Sequence, residues 1–467
     1  MRQLLIFCLL CFSVYSSRSA ELIKGTFIES NNNYIYSFKS PELSPNKIWL
    51  NRVQSISPNM AVWISDDENK IAINKGLNLS NNTIQITIQS YEINSTDNLL
   101  ALNQIQLIGT HNSYHIEPHS SVMQLIRKVM PSQADAIKYS HRPLTEQLEL
   151  IGMRKFELDI FHDNKGAGYS QPLGAIMAHG INWKGNYPEF DEDALKDPGM
   201  KVLHFPNFDF RSNTPNLIKA LNEIEAWSIK NSYHLPIMIL IETKNTGNGS
   251  SGFGIKDFVE LEKEIKSVLN LSRIITPDEV RGKFSTLNKA IRTKGWPSLY
   301  KSRGRFIFAL DNQGKELDNY LKLHPQLKGA ILFVSSPPGR PESAFLKIND
   351  PIRNHSLIKE KITEGYLIRT RADSDLAQAK NMDYKQMQKA FSSGAQYIST
   401  DFPADDSTKD NYNVGWPGGK IGRLNPLFKH SKKMRDTELE QKEYSKLIRV
   451  FVLKIPNNQP ESKNVSQ

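Results

Sequence analysis

Residues 155–160 read Lys-Phe-Glu-Leu-Asp-Ile, a pattern that indicates a β-strand with one apolar face and one acidic face. The three apolar residues would pack beneath helices, so Glu157 and Asp159 would point together to the opposite side. Two carboxylates about 5–6 Å apart repel each other by about 3 kcal/mol at an effective dielectric constant near 20. A bound cation would remove this cost, and so would a neighbouring base such as Arg154 or Lys155. The strand therefore predicts either a cation site or a neutralised acidic pair.

Strand-like and helix-like segments alternate from about residue 101 onward. The clearest helical stretches are 213–230 and 256–269. Many of the strands are continuously apolar, which is typical of strands covered by helices, and a closed barrel is the economical arrangement of eight such strands. We therefore expect an α/β fold of the TIM-type (β/α)₈ barrel class. The predicted strands are 104–110, 155–160, 175–179, 235–242, 305–311, 329–334, 365–370 and 395–400.

Many of these predicted strands end in a polar residue. The C-terminal ends of the strands of a parallel barrel share one face, so residues far apart in the chain would converge there. The residues concerned are His111, Asp159, His179, Glu242, Asp311, Arg371 and Asp401.

Histidines and oxygen donors stand out among the residues at this face. His111 and His179 each follow an apolar strand and suit an acid–base pair, and Gly109 permits close approach of backbone or substrate. A set of carboxylates and one amide favours Ca²⁺ or Mg²⁺ over zinc. A zinc site formed by His111, His179 and Asp159 is the alternative. The predicted oxygen ligands are Asn112, Glu157, Asp159 and Glu242.

The rest of the chain divides by composition. Residues 1–19 combine a positive start, an uncharged apolar run and small residues two apart, which is typical of a signal peptide, so we expect a secreted or periplasmic protein. Residues 20–100 contain short alternating segments and are predicted to be a small β-rich N-terminal region. The barrel would occupy residues 101–425, and residues 426–467 would form a C-terminal extension that includes one strand.

Composition and charge exclude several classes of protein. Both cysteines, Cys8 and Cys11, lie in the predicted signal peptide, so the mature chain should have no disulfide framework and no cysteine nucleophile. Removing Arg2 and Arg18 leaves 57 basic and 49 acidic residues, a net charge of +8. This charge indicates either a solvated basic surface or attraction to anionic lipid head groups. We expect no nucleic-acid partner, no transmembrane segment and a monomer.

Four motifs, in order along the chain, resemble those of phosphoinositide-specific phospholipase C catalytic domains. The sequence Ser-Thr-Asp-Phe-Pro at 399–403 is similar to the last strand of secreted, calcium-dependent microbial members, and the resemblance covers about residues 101–425. The four motifs are 109–114 (Gly-Thr-His-Asn-Ser-Tyr), 144–148 together with 152–159, 178–180 (Ala-His-Gly) and 241–242 (Ile-Glu).

The resemblance implies a distorted barrel and a phosphoric diester hydrolase. Such an enzyme would cleave phosphatidylinositol-type lipids at a membrane surface, giving diacylglycerol and an inositol phosphate. It implies that His111 and His179 form the catalytic pair, with Glu157 or Glu242 as alternative bases. Calcium would be held by the four oxygen ligands named above. The predicted substrate-binding residues are Lys244, Arg369 and Arg371.

The sequence argues against one substrate preference and leaves two alternative functions open. The lysine pair that eukaryotic members carry on the fifth strand is replaced here by Arg305 at the strand start, which argues against a preference for polyphosphorylated lipids. A glycerophosphodiester phosphodiesterase or phospholipase D-like lipid hydrolase on the same barrel is the first alternative, although such enzymes typically open with His-Arg. A non-catalytic secreted barrel that binds lipid or glycan is the second.

Overall fold

The computed structural model describes most of the chain beyond the predicted signal peptide, and residues 1–20 lie outside it. The described residues are 21–22, 25–29, 33–38, 48–55, 62–64, 70–74, 83–93, 95–180, 183, 191–244, 252–374, 376–405, 411–430, 434–440 and 446–454.

The described residues contain eighteen strands and thirteen α-helices. In chain order the strands are β1 Glu21–Leu22, β2 Gly25–Glu29, β3 Asn33–Phe38, β4 Ile48–Ser55, β5 Val62–Ile64, β6 Lys70–Asn74, β7 Thr83–Ile93, β8 Ile105–Thr110, β9 Lys155–Asp163, β10 Gly199–Val202, β11 Ile237–Thr243, β12 Phe306–Leu310, β13 Leu332–Val334, β14 Phe345–Lys347, β15 Leu367–Arg371, β16 Tyr397–Thr400, β17 Gly422–Leu424 and β18 Lys446–Lys454. The helices are α1 Ser120–Val129, α2 Pro131–Ala136, α3 Leu144–Glu149, α4 Leu173–His179, α5 Leu217–Lys230, α6 Ile255–Val268, α7 Pro277–Arg281, α8 Leu287–Thr293, α9 Leu299–Ser302, α10 Lys315–Leu323, α11 His355–Thr363, α12 Leu376–Asn381 and α13 Lys385–Ser393.

These elements fall into two compact units, of which the smaller is made of strands. It contains most of the strands between residues 21 and 91 together with β18. One sheet has the order β1-β18-β7-β4 and another has the order β2-β3-β6-β5. The C-terminal strand β18 therefore pairs with N-terminal strands, antiparallel to β7 and parallel to β1. The described part of the predicted N-terminal region is β-rich, as expected.

The larger unit contains two sheets of mainly parallel strands. One has the order β10-β9-β11-β12-β13, in which only the edge strand β10 is antiparallel to its neighbour. The other has the order β14-β15-β16-β8-β17, with β17 antiparallel. Eight mutually parallel strands are thus shared between two sheets in the described residues. Of the seven polar residues predicted at strand ends, all but His179 lie on or directly after one of these strands.

Backbone contacts join the two sheets at two places, between β8 and β9, each of which lies next to an edge strand, and between the edge strands β13 and β14. The amide of Arg154 donates to the carbonyl of Ile108 over 3.0 Å, which links the start of β9 to β8. Gly109 allows this approach, because a Cβ atom there would lie 2.1 Å from the carbonyl oxygen of Lys155. At the second place, Ser335 forms a parallel bridge with Phe345 at the start of β14.

Seven of the eight predicted barrel strands have a counterpart among the described strands, and the prediction for residues 175–179 is wrong. These residues belong to α4, which ends at Gly180 in a positive-φ conformation of 68°. The large apolar side chains of Leu173 and Met177, four positions apart, are exposed on this helix. A short apolar run does not by itself distinguish a strand from a helix. The eighth parallel strand is instead β14, which is only three residues long.

The core of the larger unit lies where the strands meet the surrounding helices. Every residue of β8, β12 and β13 is buried, as expected for strands covered on both faces. The two predicted long helices are confirmed as α5 and α6, and each turns an apolar side toward this core. Among the described residues, no helix is both long enough and apolar enough to cross a membrane.

Candidate active site

Three of the four predicted oxygen ligands meet at the C-terminal ends of β9 and β11. The two strands are parallel, and Asp159 is the register partner of Glu242. Glu157 lies two residues before Asp159, so its side chain projects to the same side of β9. Carboxylate oxygens of the three residues lie within 4.8 Å of one another, a spacing that can hold one metal ion. The three carboxylates therefore converge as the strand pattern predicted.

Basic residues surround Glu157. Oε2 of Glu157 accepts a hydrogen bond from Nζ of Lys155 and another from Nη2 of Arg369 over 2.6 Å. Burial alone would raise the pKa of Glu157, but Arg369, Lys155 and His111 hold it well below its usual range. The prediction that a neighbouring base neutralises this carboxylate is therefore correct for Lys155. Arg154, the other base considered, pairs with Glu440 instead.

Asp159 and Glu242 share one lysine. Nζ of Lys244 lies 3.0 Å from Oδ2 of Asp159 and 2.8 Å from Oε1 of Glu242. Burial raises the pKa of Asp159 to about 6, against the opposing effect of Lys244. Burial and the carboxylate of Asp159 raise the pKa of Glu242 to about 7. Both acids are therefore held close together at an energetic cost that a cation relieves.

Asn112, the fourth predicted ligand, adjoins Glu157 through the backbone. The amide of Ser113 donates to the carbonyl of Glu157 over 2.9 Å. Asn112 has a left-handed φ of 42°, and its Nδ2 donates to the hydroxyl of Tyr139 over 3.1 Å. Its Oδ1 is buried and accepts no hydrogen bond from the described residues. A buried amide oxygen without a hydrogen bond, on the loop bonded to Glu157, and three converging carboxylates are donor types that fit a hard divalent cation.

His111 follows β8 and is held by Asp401, which follows β16. Nδ1 of His111 lies 2.8 Å from Oδ1 of Asp401, and Nε2 lies 3.6 Å from Oε1 of Glu157. Burial, and then the charge of Arg371, lower the pKa of His111 despite the two carboxylates. The carboxylate of Asp401 has a pKa well below its usual range because His111 and Arg371 outweigh its burial. Because an ionised carboxylate can only accept, Nδ1 of His111 donates to Asp401, and Nε2 is the ring nitrogen that faces Glu157.

A second imidazole, His204, lies one residue after a backbone contact with β9. It follows β10, and the amide of Leu203 donates to the carbonyl of Asp159 over 3.1 Å. Nδ1 of His204 lies 2.7 Å from Oδ2 of Asp209, and Nε2 of His115 lies 2.9 Å from the same oxygen. The ligand atoms of His115, His204 and Asp209 also lie within 4.8 Å of one another. Both histidines therefore share one buried carboxylate.

His179 has a different environment from the one predicted. It ends α4 rather than a strand, and its Nε2 lies 2.9 Å from the hydroxyl of Ser121 on α1. Its ring lies 5.8 Å from that of His119, centroid to centroid. The alternative zinc set of His111, His179 and Asp159 is not among the groups of ligand atoms that the described residues bring together.

The predicted substrate-binding arginines differ in accessibility. The guanidinium of Arg369 is buried and donates to Ser399, Asn349 and Glu157. Arg371 is partly exposed, and its Nη2 donates to Oδ2 of Asp401 over 3.1 Å. Arg369 therefore stabilises the acidic cluster, whereas Arg371 can still reach a ligand.

Several residues of this site were not assigned by sequence reasoning. Asp401 was noted at a strand end but given no role, although it closes the Ser-Thr-Asp motif. His204 has the sequence context of a structural histidine, because β10 is only four residues long and antiparallel and gives no barrel-strand pattern. Lys347, on β14, pairs with Asp311 after β12. Its strand was too short to be recognised.

The sequence matches one family model over most of the larger unit. Residues 100–426 match the model described as phosphoinositide phospholipase C, Ca²⁺-dependent. This span is more than half of the 467-residue chain. No curated protein matches the chain.

Solved structures similar to this chain include enzymes from a Pseudomonas species and from Streptomyces antibioticus. The calcium-dependent phosphoinositol-specific phospholipase C of a Gram-negative Pseudomonas species, in an apo form, is 16% identical with a TM-score of 0.42, covering 71% of this chain and 98% of its own. Its myo-inositol complex is 15% identical, with a TM-score of 0.43 and the same coverage. The Ca²⁺-dependent phosphatidylinositol-specific phospholipase C of Streptomyces antibioticus is 17% identical with a TM-score of 0.38, covering 65% and 95%.

Proposed function

The chain belongs to the family of Ca²⁺-dependent phosphoinositide phospholipases C, and we propose that it cleaves phosphatidylinositol-type lipids to diacylglycerol and an inositol phosphate. The observation that carries this proposal is the meeting of Glu157, Asp159 and Glu242 within 4.8 Å beside the imidazole of His111. A cation site next to a neutral imidazole is the arrangement that attack on a phosphodiester requires.

The two sheets of the larger unit would close into a distorted (β/α)₈ barrel. The backbone contact between Arg154 and Ile108 supports one seam, and the bridge between Ser335 and Phe345 supports the other. Closure in this order brings the C-terminal ends of all eight parallel strands to one rim. The distortion would lie at β13 and β14, whose three-residue lengths leave few ladder hydrogen bonds.

Calcium would be held by the side chains of Asn112, Glu157, Asp159 and Glu242. When bound, it supplies Lewis-acid stabilisation to a phosphoryl oxygen and lowers the pKa of a coordinated hydroxyl. Glu157 would contribute through Oε1, because its Oε2 is already occupied by Lys155 and Arg369. The four donors are all oxygens, which suits a hard cation.

His111 would act as the general base. Its Nε2 would take the proton of the inositol 2-hydroxyl as that oxygen attacks the neighbouring phosphorus. Asp401 holds the Nδ1–H, so it fixes the reactive tautomer and stabilises the imidazolium that forms. Glu157 and Glu242, the alternative bases, would instead be committed to the cation.

His204 would be the general acid in place of His179. As the bond between phosphorus and the diacylglycerol oxygen breaks, Nε2 of His204 would donate a proton to that oxygen. Asp209 accepts from Nδ1 of His204, which leaves Nε2 directed elsewhere, and the backbone hydrogen bond from Leu203 to Asp159 ties the residue before His204 to the strand that carries the acids. His179 remains the competing candidate, and variants of the two residues distinguish them.

Substrate binding would use basic residues around the same rim. Arg371 and Lys244 are both partly exposed and would contact the phosphate or the inositol ring. Arg369 would act indirectly, by holding Glu157. The predicted net charge of +8 for the mature chain would favour an anionic membrane surface. A secreted or periplasmic location is the one we propose, on the basis of the apolar N-terminal segment.

Product analysis tests this function. Purified protein would be incubated with phosphatidylinositol vesicles in calcium and then in chelator, with products followed by phosphorus NMR. Calcium-dependent release of an inositol phosphate, cyclic or open, together with diacylglycerol would support the proposal. Phosphatidic acid and free inositol from these vesicles, or glycerol phosphate from glycerophosphoinositol offered as a second substrate, would favour the glycerophosphodiesterase or phospholipase D-like alternative. Calcium binding without turnover would favour a non-catalytic barrel.

A further inference from the structure

One basic side chain is inserted directly between two of the carboxylates assigned to calcium. Nζ of Lys244 lies 3.0 Å from Asp159 and 2.8 Å from Glu242. Its backbone amide donates to the carbonyl of Ile160 over 2.9 Å, so the β11 ladder continues through this position. Lys244 therefore lies two residues after Glu242 on the same face, and its ammonium group is directed to the carboxylates by the strand itself.

The cluster is electrically balanced by its own cations. Glu157, Asp159 and Glu242 carry three negative charges when ionised. Lys155 and Arg369 both contact Glu157, and Lys244 contacts the other two acids. A divalent ion added to this set without any rearrangement would meet three positive charges that already match the three negative ones.

Only one of these three basic side chains has access to solvent. The side chains of Lys155 and Arg369 are 0% and 1% exposed, whereas that of Lys244 is 24% exposed. A lysine has a flexible stem and a strongly hydrated head group, so it can withdraw into water where a buried arginine cannot. Of the three basic side chains, Lys244 is therefore the one that can move away from the carboxylates into solvent.

We propose that the ammonium group of Lys244 competes with calcium for the carboxylates of Asp159 and Glu242. This competition would set the calcium concentration at which the enzyme works. This proposal rests on the proposed function. Calcium binding would displace the ammonium group by ordinary competition for the same oxygens. The displaced ammonium would lie at the rim, where a substrate phosphate could accept its hydrogen bonds.

Calcium affinity, measured by isothermal titration calorimetry at constant pH, tests this proposal without relying on turnover. The variant Lys244→Met removes the charge and keeps most of the apolar stem, so its dissociation constant should fall about tenfold or more. Lys244→Arg keeps the charge and should bind calcium no more tightly than the wild type. Lys289→Met, on the exposed side of α8, controls for the loss of one positive charge elsewhere and should leave calcium affinity unchanged.

The outcomes separate this proposal from the proposed function. If Lys244→Met binds calcium with wild-type affinity or more weakly, the competition proposal is wrong while the calcium site stands. If neither the wild type nor Lys244→Met binds calcium, the proposed calcium site fails and the competition proposal fails with it. Lys244→Gln replaces the methionine variant if circular dichroism shows that the latter does not fold.

A second measurement follows the lysine itself. Acylation of surface amines, quantified by mass spectrometry, should modify Lys244 faster when calcium is present, because the ammonium group has been displaced into solvent. The rate at Lys289 should stay the same. A calcium-independent rate at Lys244 in protein that binds calcium would contradict displacement.

Discussion

Oδ1 of Asp401 lies 2.8 Å from Nδ1 of His111, although the two residues are 290 positions apart in the chain. Parallel pairing of β8 and β16 produces this contact, since Thr400 is the register partner of Thr110. The same contact fixes the tautomer of His111 and leaves Nε2 toward Glu157. The reactivity that we assign to His111 therefore depends on the last parallel strand of the larger unit.

Removing the base should abolish most of the activity. His111→Ala should reduce kcat by about 10²–10⁴-fold, the range for loss of a general base. Asp401→Asn should give a smaller loss, because the imidazole remains but its tautomer and orientation are no longer fixed. Initial rates of phosphatidylinositol cleavage at saturating calcium measure both. Wild-type turnover in His111→Ala would contradict the assignment.

The general acid can be identified through the leaving group. His204→Ala should slow cleavage of the natural lipid far more than cleavage of a substrate with a nitrophenol leaving group, which needs no proton. His179→Ala should lower both rates little, since its ring contacts Ser121 on α1. The reverse pattern for the two variants would restore His179 as the acid.

The acids of the cluster should differ in their effect on stability. Glu157→Gln leaves Lys155 and Arg369 buried without their carboxylate, and breaking such a buried pair costs about 3–5 kcal/mol of unfolding free energy. Asp159→Asn removes like-charge repulsion with Glu242 and should leave stability nearly unchanged. Urea unfolding in chelator measures both variants. Equal losses for the two would contradict this charge arrangement.

Stability should depend on pH through His115 and Asp209. Burial alone would lower the pKa of His115, but the carboxylate of Asp209 at 2.9 Å outweighs it and raises the pKa above 6.5. A raised folded-state pKa gives stabilisation that is complete below the unfolded value and is lost as pH rises through the folded value. The stability difference between wild type and His115→Gln should therefore shrink between pH 5.5 and pH 9. A difference that grows with pH would contradict this.

Asp209 determines the pH below which the same pair no longer stabilises the fold. Burial would raise its pKa, but His115 and His204 lower it from 3.8 to about 2. Its contribution is therefore present above about pH 4 and is lost as the pH falls toward 2. The difference in free energy of unfolding between the wild type and Asp209→Asn, measured by urea unfolding, should decrease to zero over this acid range. A stability difference that does not change with pH would indicate that Asp209 has a role other than charge pairing.

Seven of the eight parallel strands of the larger unit could be predicted from the sequence, whereas β14 and the antiparallel strands β10 and β17 could not. β9 and β11 have uninterrupted patterns, so their positions and the convergence of Glu157, Asp159 and Glu242 followed from alternation and parallel pairing. β14 has three residues and carries no periodicity of its own. Residues 175–179 are equally apolar, yet they form α4, because such runs suit either structure until tertiary contacts select one.

The charge partners within the site were harder to predict than the acids. Lys155 precedes Glu157 by two residues, so its role could be suggested, but Arg369 and Asp401 reach the site only through the pairing of distant strands. His204 follows a four-residue antiparallel strand that has no place in a regular barrel pattern. Sequence alternation predicts which way a side chain points, and the topology determines which side chain it meets.

The most direct test of the account is a crystal structure of the protein grown with calcium, with the ion located by its anomalous scattering. We expect one calcium ion at about 2.3–2.6 Å from oxygens of Asn112, Glu157, Asp159 and Glu242. We also expect Nε2 of His111 beside that ion's open side. An ion bound elsewhere, or none at saturating calcium in a protein that cleaves phosphatidylinositol, would contradict this expectation.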